Sequence, residues 1–236
     1  MTTNLWWLSV PVIICLFLLL RVLNNKTTHG VSKALSNPVC WAILIIAALL
    51  VTLDLPYAPF AEHSKILSWL LEPAIVALAL PLYQQFVHVR RNLLLIVISC
   101  SLGVINATVV ASLICYFFAA PAELSASLAS LSVTTPITLI VTDALGGIPS
   151  LAAAMVIFIG VLGGIFGNLI FSLLNIRNAQ AKGVAIGTAC HAIGTASLIT
   201  EEAKAGAFAS VAMALSALLS AIIVPLLYPV LQHALV

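Results

Sequence analysis

The chain has 236 residues, 63% hydrophobic and 7% charged, where an ordinary soluble domain carries about 25% charged residues. That composition excludes a soluble globular protein, and with no polar stretch long enough for a second core it points to a single membrane domain over 1–236. The net charge of +2 is scattered over single or paired Lys and Arg residues, so no basic stripe exists to track a phosphate backbone and nucleic acid is excluded as a partner.

Apolar windows near the roughly 20 residues needed to cross a bilayer run over 5–23, 39–55, 67–83, 93–119, 150–174 and 207–231. The first has no positive charge before it and no small-residue cleavage site after it. Arg21, Lys26 and Lys33 follow instead, which predicts a retained helix with its N-terminus outside. Two further segments, 123–145 and 181–201, are interrupted at their centres by Gly, Thr, Ser and Pro. The expected fold is therefore all-α and polytopic, with six to eight transmembrane segments, two of them broken or re-entrant helical hairpins. Trp6, Trp7, Trp41 and Trp69 fit interfacial anchors.

Sliding the chain against itself by about 60 positions, the offset between Thr135 and Thr195, places Leu102-Gly103 on Leu162-Gly163, Ser112-Leu113 on Ser172-Leu173, Gly146 on Gly206 and Ser150 on Ser210. This internal duplication divides the chain into N-terminal helices over 1–92, a first repeat unit over 93–155 and a second over 153–232, the two units sharing the helix 150–174. If both interrupted segments are hairpins that enter and leave on one face, Arg21, Lys26, Lys33, Arg90, Arg91, Arg177, Lys182 and Lys204 fall together on the cytoplasmic side and only Lys65 is left out. The two units then have opposite orientation, the inverted repeat of many secondary transporters. Eight plain spans are the alternative, because hydropathy does not separate a hairpin from a broken crossing helix.

In the first interrupted segment, Ser132-Val133-Thr134-Thr135-Pro136-Ile137 reads as a helix start, with Thr135 as N-cap and Pro136 as first helical residue. A start at membrane depth leaves N–H groups without partners, and the aligned peptide dipoles there favour an anion. The second segment repeats the device in Cys190-His191-Ala192-Ile193-Gly194-Thr195-Ala196-Ser197, where Thr195 matches Thr135 and Gly194 is expected to loosen the chain. His191 is the one histidine embedded in such a segment, suited to binding a carboxylate or carrying a proton; a packing role with a hydrogen bond to a carbonyl is the alternative. Asp143 is a second proton-carrying candidate and Glu72 a weaker one, although both can reach an interface. Gly146-Gly147-Ile148-Pro149-Ser150 reads as a turn and a new helix start, with Ala207, Phe208 and Ser210 at the equivalent junction of the second unit. Gly160, Gly163, Gly164 and Gly167 have the spacing of a close helix contact.

The five cysteines lie in apolar runs without a C-x-x-C pair, so neither a disulfide framework nor a metal site is indicated and they read as small core residues. No Ser-His-Asp spacing, H-E-x-x-H or P-loop is present. The expectation is a protein that is not an enzyme and has no cofactor.

Several strings carry a family resemblance. Leu71-Glu72-Pro73-Ala74, Ala79-Leu80-Pro81-Leu82-Tyr83, the Ser132 to Ile137 string, Gly146-Gly147-Ile148-Pro149, Gly183-Val184-Ala185-Ile186-Gly187, His191-Ala192-Ile193-Gly194-Thr195-Ala196 and Gly206-Ala207-Phe208 together resemble the LrgB/CidB family. The resemblance implies a bacterial inner-membrane protein that works with a small LrgA/CidA-type holin-like partner. Members are described as regulators of murein hydrolase export and autolysis, while a plant plastid relative moves glycolate and glycerate. Two places depart from the family pattern: Ser130 and Leu131 stand where Pro-Lys is usual, and Ser197 stands where Arg is usual. Both departures remove fixed positive charge from the expected site. A less charged substrate, a carboxylate carried with a proton, or loss of an ancestral activity would each fit.

These readings converge on a proton-coupled secondary transporter of small monocarboxylates, with substrates of the glycolate, glycerate and pyruvate kind expected to be held at the midplane by Thr134, Thr135, Pro136, His191, Gly194, Thr195 and Ser197. The expected partners are the lipid bilayer, the substrate, an LrgA/CidA-type protein and further copies of the chain. The rival is a holin-like accessory to that partner with no transport of its own.

Overall fold

The computed structural model describes residues 6–26, 38–70, 73, 76, 80, 83 and 86–235. Every regular element among the described residues is helical, as hydrocarbon requires of a segment that must satisfy its own N–H and C=O groups. Among the described residues four helices are long and apolar enough to cross a membrane: Trp6–Asn24, Leu93–Phe117, Pro149–Leu173 and Ala203–Leu235. The predicted window 67–83, with Glu72, lies mostly outside the described residues. The chain divides into two compact units, Met1–Ala79 and Leu80–Val236.

In the first unit a 3-10 turn, Trp6–Leu8, leads into α1 (Ser9–Lys26), followed by α2 (Pro38–Thr52), α3 (Tyr57–His63) and α4 (Lys65–Trp69). The apolar part of α2 within the described residues, Trp41–Thr52, is shorter than a full span. Beyond α2, Asp54 takes φ 48 while the Leu55 N–H donates to the Leu50 carbonyl at 2.8 Å. That six-residue closure satisfies a carbonyl left over at the helix end, and Asp tolerates the left-handed conformation it needs.

The second unit contains α5 (Phe86–Arg91), α6 (Leu93–Phe117), α7 (Ala122–Leu128), α8 (Thr135–Ala144), α9 (Pro149–Leu173), α10 (Ala179–Glu201) and α11 (Ala203–Leu235). Helices α6 and α9 end as α2 does. Ala119 and Asn175 take φ 49 and 54, and Ala120 and Ile176 donate back to the Cys115 and Phe171 carbonyls, each at 2.8 Å. The predicted turn before α9 is present: Gly146 has φ 73 and Pro149 opens the helix. At the place expected to be equivalent in the second repeat unit there is no turn. Ala207, Phe208 and Ser210 are buried inside α11, and the chain turns earlier, at extended Glu202.

The contacts fix the running directions. Helices α6 and α11 run parallel: the Cys100 thiol meets the Ala212 carbonyl, and farther along Val104, Val224 and Tyr228 share a core with Ala126, Ala129 and Val141. Helix α9 runs against the first arm of α10, since a Cβ on Gly163 would meet Cys190 and one on Gly167 would meet Ile186. That arm lies parallel to the start of α11, with Gly183 against Ala205 and Gly187 against Ala209. Arg90, Arg91, Arg177, Lys182 and Lys204 therefore sit at one end of this unit, and Glu123 and Asp143 at the other.

Candidate functional site

The first interrupted segment doubles back. Helix α7 ends at Leu128, residues 129–134 turn, and α8 returns beside it. The Ser130 hydroxyl pairs with that of Thr142 at 3.1 Å, and the Thr138 hydroxyl donates to the Ser130 carbonyl at 3.0 Å. At the base of the hairpin the Ile148 N–H donates to the Ser127 hydroxyl at 2.6 Å. From α6, Thr108 donates to the Ala129 carbonyl at 3.0 Å, close to the middle of that helix. Ser127, Ser130, Thr138 and Thr142 are all buried, so hydroxyl hydrogen bonds hold the hairpin together alongside the buried Ala129 and Val133. The N-cap of α8 is Thr134, in extended conformation and without a side-chain cap bond, and Thr135 and Pro136 follow inside the helix. The helix thus starts one residue earlier than the sequence pattern placed it.

The second segment also doubles back, at a different residue from the one expected. His191 adopts φ 51, ψ −141 inside α10, and beyond it the chain reverses. Gly194 lies against Cys190 and Ile186, and the Lys182 ammonium is 3.9 Å from the Glu202 carboxylate. In an unbroken helix residues 182 and 202 would be about 30 Å apart. The break therefore falls at His191 and not at Gly194. Glycine is needed at 194 because the two arms approach too closely for a Cβ, which would stand 2.6 Å from that of Cys190.

The two tips touch. The His191 Nε2 donates to the Leu131 carbonyl at 3.1 Å, across a sequence separation of 60. Because a carbonyl only accepts, Nε2 carries the proton in this contact. Nδ1 of His191 and Oγ1 of Thr195 are buried without a partner among the described residues, and Thr195 has no exposed surface at all. Buried polar atoms normally have partners; Ser112 Oγ and Ser216 Oγ are likewise without one among the described residues, but only at His191 and Thr195 do two such atoms lie on one hairpin tip.

Of the other candidates, Thr134 and Thr135 are half-buried at the first tip and Pro136 is exposed. Ser197 lies in the second arm of α10, with its side chain outside the described residues. Asp143 is exposed near the far end of α8 and does not join the tips. Gly160, Gly163 and Gly167 of α9 provide the close contact expected of them, against Ile193, Cys190 and Ile186 of the second hairpin.

A cavity of about 590 Å³ runs from the cationic end of this unit to the first tip. Asn92, Asn178 and Gln180 stand at its mouth, and Ser99, Asn106, Ser132 and Thr188 line it farther in. None of the residues lining it is ionised at neutral pH. The sequence pattern pointed to the Thr-Thr-Pro string instead of these residues. One signal was available: Asn106 stands near the midpoint of Leu93–Phe117, a helix without a charged residue, where a strongly polar side chain usually faces a cavity or the bundle interior. No group of three or more His, Cys, Asp or Glu among the described residues is placed to hold a metal ion.

The sequence comparisons agree with one another. The model of the LrgB-like family matches residues 13–230. A Haemophilus influenzae protein described as uncharacterized is 32% identical over 192 residues, covering 81% of this chain and 83% of its own. The uncharacterized protein YwbG of Bacillus subtilis is 30% identical over 217 residues, 91% of this chain and 96% of its own. The holin-like protein CidB of Staphylococcus epidermidis is 26% identical over 221 residues, 94% and 96% of the two chains. No solved structure matches. With nearly its whole length covered by the family pattern, the chain is a member of the LrgB-like family.

Proposed function

We propose that this protein is a secondary transporter of small monocarboxylates, carried with a proton, and that the solute passes the point where the two hairpin tips meet. The observation that carries the reading is the contact of His191 with Leu131, two residues separated by the duplication offset of 60. A residue touching its own repeat counterpart is what a two-fold axis between two inverted units requires. The lengths also fit. Helix α8 has 10 residues, and the second arm of α10, 192–201, matches it. Each is about 15 Å long, half of a hydrocarbon core of about 30 Å. Two re-entrant hairpins entering from opposite faces would meet at the midplane, with two helix N-termini nearby and His191 and Thr195 offering unpaired polar atoms.

On this reading the end with Arg90, Arg91, Arg177, Lys182 and Lys204 faces the cytoplasm, and the cavity opens there. The membrane is the bacterial cytoplasmic membrane, with the N-terminus outside because Arg21 and Lys26 follow the apolar part of α1. Uptake of labelled glycolate, glycerate and pyruvate into proteoliposomes tests the reading. Flux above that of empty vesicles supports it, and no flux for all three contradicts it.

A second reading has a specific observation behind it. Relatives from Staphylococcus epidermidis and Staphylococcus aureus are named holin-like protein CidB, which speaks more directly for an accessory to an LrgA/CidA-type partner in murein hydrolase export and autolysis than for transport. Under that reading Thr135→Val and His191→Ala leave lysis phenotypes intact, while removal of the partner abolishes them. Under the transport reading both substitutions abolish flux.

A further inference from the structure

We infer that Ser99, Asn106, Ser132 and Thr188 form the solute-binding site proper, and that it takes the solute in uncharged form, as the protonated acid of a small hydroxylated carboxylate. The inference rests on the transport reading and names the species and the residues that reading leaves open.

Three elements bring these four side chains to one cavity: α6 contributes Ser99 and Asn106, the first tip Ser132, and α10 Thr188. Thr188 lies 3.3 Å from the Cys100 thiol. The side chains of Ser99, Asn106 and Ser132 make no hydrogen bond among the described residues, and with Ser99 and Asn106 exposed and Ser132 half-buried they are open to a guest. Amide and hydroxyl groups both donate and accept, so they complement a carboxylic acid and its neighbouring hydroxyl, which do the same. They provide no charge to offset a carboxylate that has left water. The ionisable groups stand elsewhere. Arg91 and Arg177 adjoin mouth residues in sequence, Lys182 is paired with Glu202, and His191 turns its Nε2 to the Leu131 carbonyl. The Cys100 thiol touches the cluster at Thr188. The mouth thus gathers anions from solution, and the interior is built for the neutral acid.

The duplication sharpens the point. Sixty positions away from Ser99, Asn106, Ser132 and Thr188 stand Ile159, Phe166, Ala192 and Leu128. Every polar member of the cluster has an apolar counterpart. If the opposite half of the route is built from those counterparts, as two inverted units imply, a solute leaving by it meets no polar side chain among them, and only an uncharged one passes at low cost.

The test uses the full chain in proteoliposomes, its five cysteines replaced and Ala185→Cys, a cavity-lining position outside the cluster, introduced as a reporter. Its alkylation rate is followed with glycolate or with glycolamide, an uncharged analogue of similar size. Glycolamide is expected to protect the thiol equally at every pH. Glycolate protection is expected to fall about tenfold in apparent affinity per pH unit above the acid's own pKa. Asn106→Leu should remove protection by both, and Ser132→Ala, which deletes one hydroxyl at a turn, should weaken it severalfold. Glycolate protection independent of pH, or protection unchanged in both variants, overturns the assignment. If glycolamide protects while no solute shows flux, the site stands and the transport reading falls. If glycolate is carried but Asn106→Leu leaves its flux unchanged, transport stands and this site falls.

Discussion

His191 is held in a backbone conformation that glycine adopts freely and other residues rarely do, at φ 51, ψ −141. Such strain costs about 1–3 kcal/mol, and a buried hydrogen bond like the one from its ring to Leu131 contributes about 0.5–1.5 kcal/mol in return. His191→Gly removes both, so its stability in detergent should lie within about 1 kcal/mol of the parent. His191→Val keeps the strain and loses the bond, so it should cost at least about 0.5–1.5 kcal/mol, and more because a β-branched residue tolerates positive φ poorly. Thermal unfolding of the two variants separates a backbone role from a side-chain role. The same reasoning reaches Ala119, whose φ of 49 closes α6. Ala119→Gly should raise stability by about 1 kcal/mol, measurable as a higher unfolding midpoint. Sequence pointed to His191 through its place in a broken apolar segment, but it gave the break to Gly194. A glycine in a helical pattern reads alike whether it supplies a bend or admits a neighbour, and only the contact with Cys190 and Ile186 distinguishes them.

At the scale of elements, the second hairpin is wedged between α9 and α11 by glycines of unequal tolerance. A Cβ on Gly187 would run into the backbone of Ala209, which has nowhere to move, whereas one on Gly167 would meet only the far end of the Ile186 side chain. Gly187→Ala should therefore cost at least about 2–3 kcal/mol and Gly167→Ala about 1 kcal/mol or less, read from the unfolding midpoints of the purified variants. The ion pair of Lys182 with Glu202 reports the fold-back more than it stabilises it, since both side chains are partly exposed and such pairs are worth about 0–1 kcal/mol. Cysteines at 182 and 202 should be joined readily by a short thiol cross-linker, and a failure to join them would restore a straight α10. The helix starts at Pro149 and, to within one residue, at Pro136 were legible because proline's fixed φ and missing N–H leave a local mark. The hydroxyl clamp of Thr108, Ser130, Thr138 and Thr142 was not, because its partners lie on different helices and Ser and Thr are unremarkable in apolar runs.

At the scale of the whole molecule, apolar runs and composition were enough to read an all-helical membrane protein, since each long run must satisfy its own backbone. Cavity-lining residues were harder to read: Ser99, Asn106, Ser132 and Thr188 converge only when α6, the first tip and α10 are assembled. What the transport reading needs above all is that each interrupted segment enters and leaves through one face, the first from the side of Glu123 and Asp143 and the second from the side of Arg177 and Lys182. Single cysteines at Ala122, Ala144, Arg177 and Ala203, all exposed, in the otherwise cysteine-free chain and probed with a membrane-impermeant thiol reagent from each side of intact cells and inverted vesicles, test this most directly. The account predicts that 122 and 144 label from outside only and that 177 and 203 label from the cytoplasm only. Labelling of 122 and 144, or of 177 and 203, from opposite faces would contradict it, because that segment would then cross the membrane instead of turning back within it.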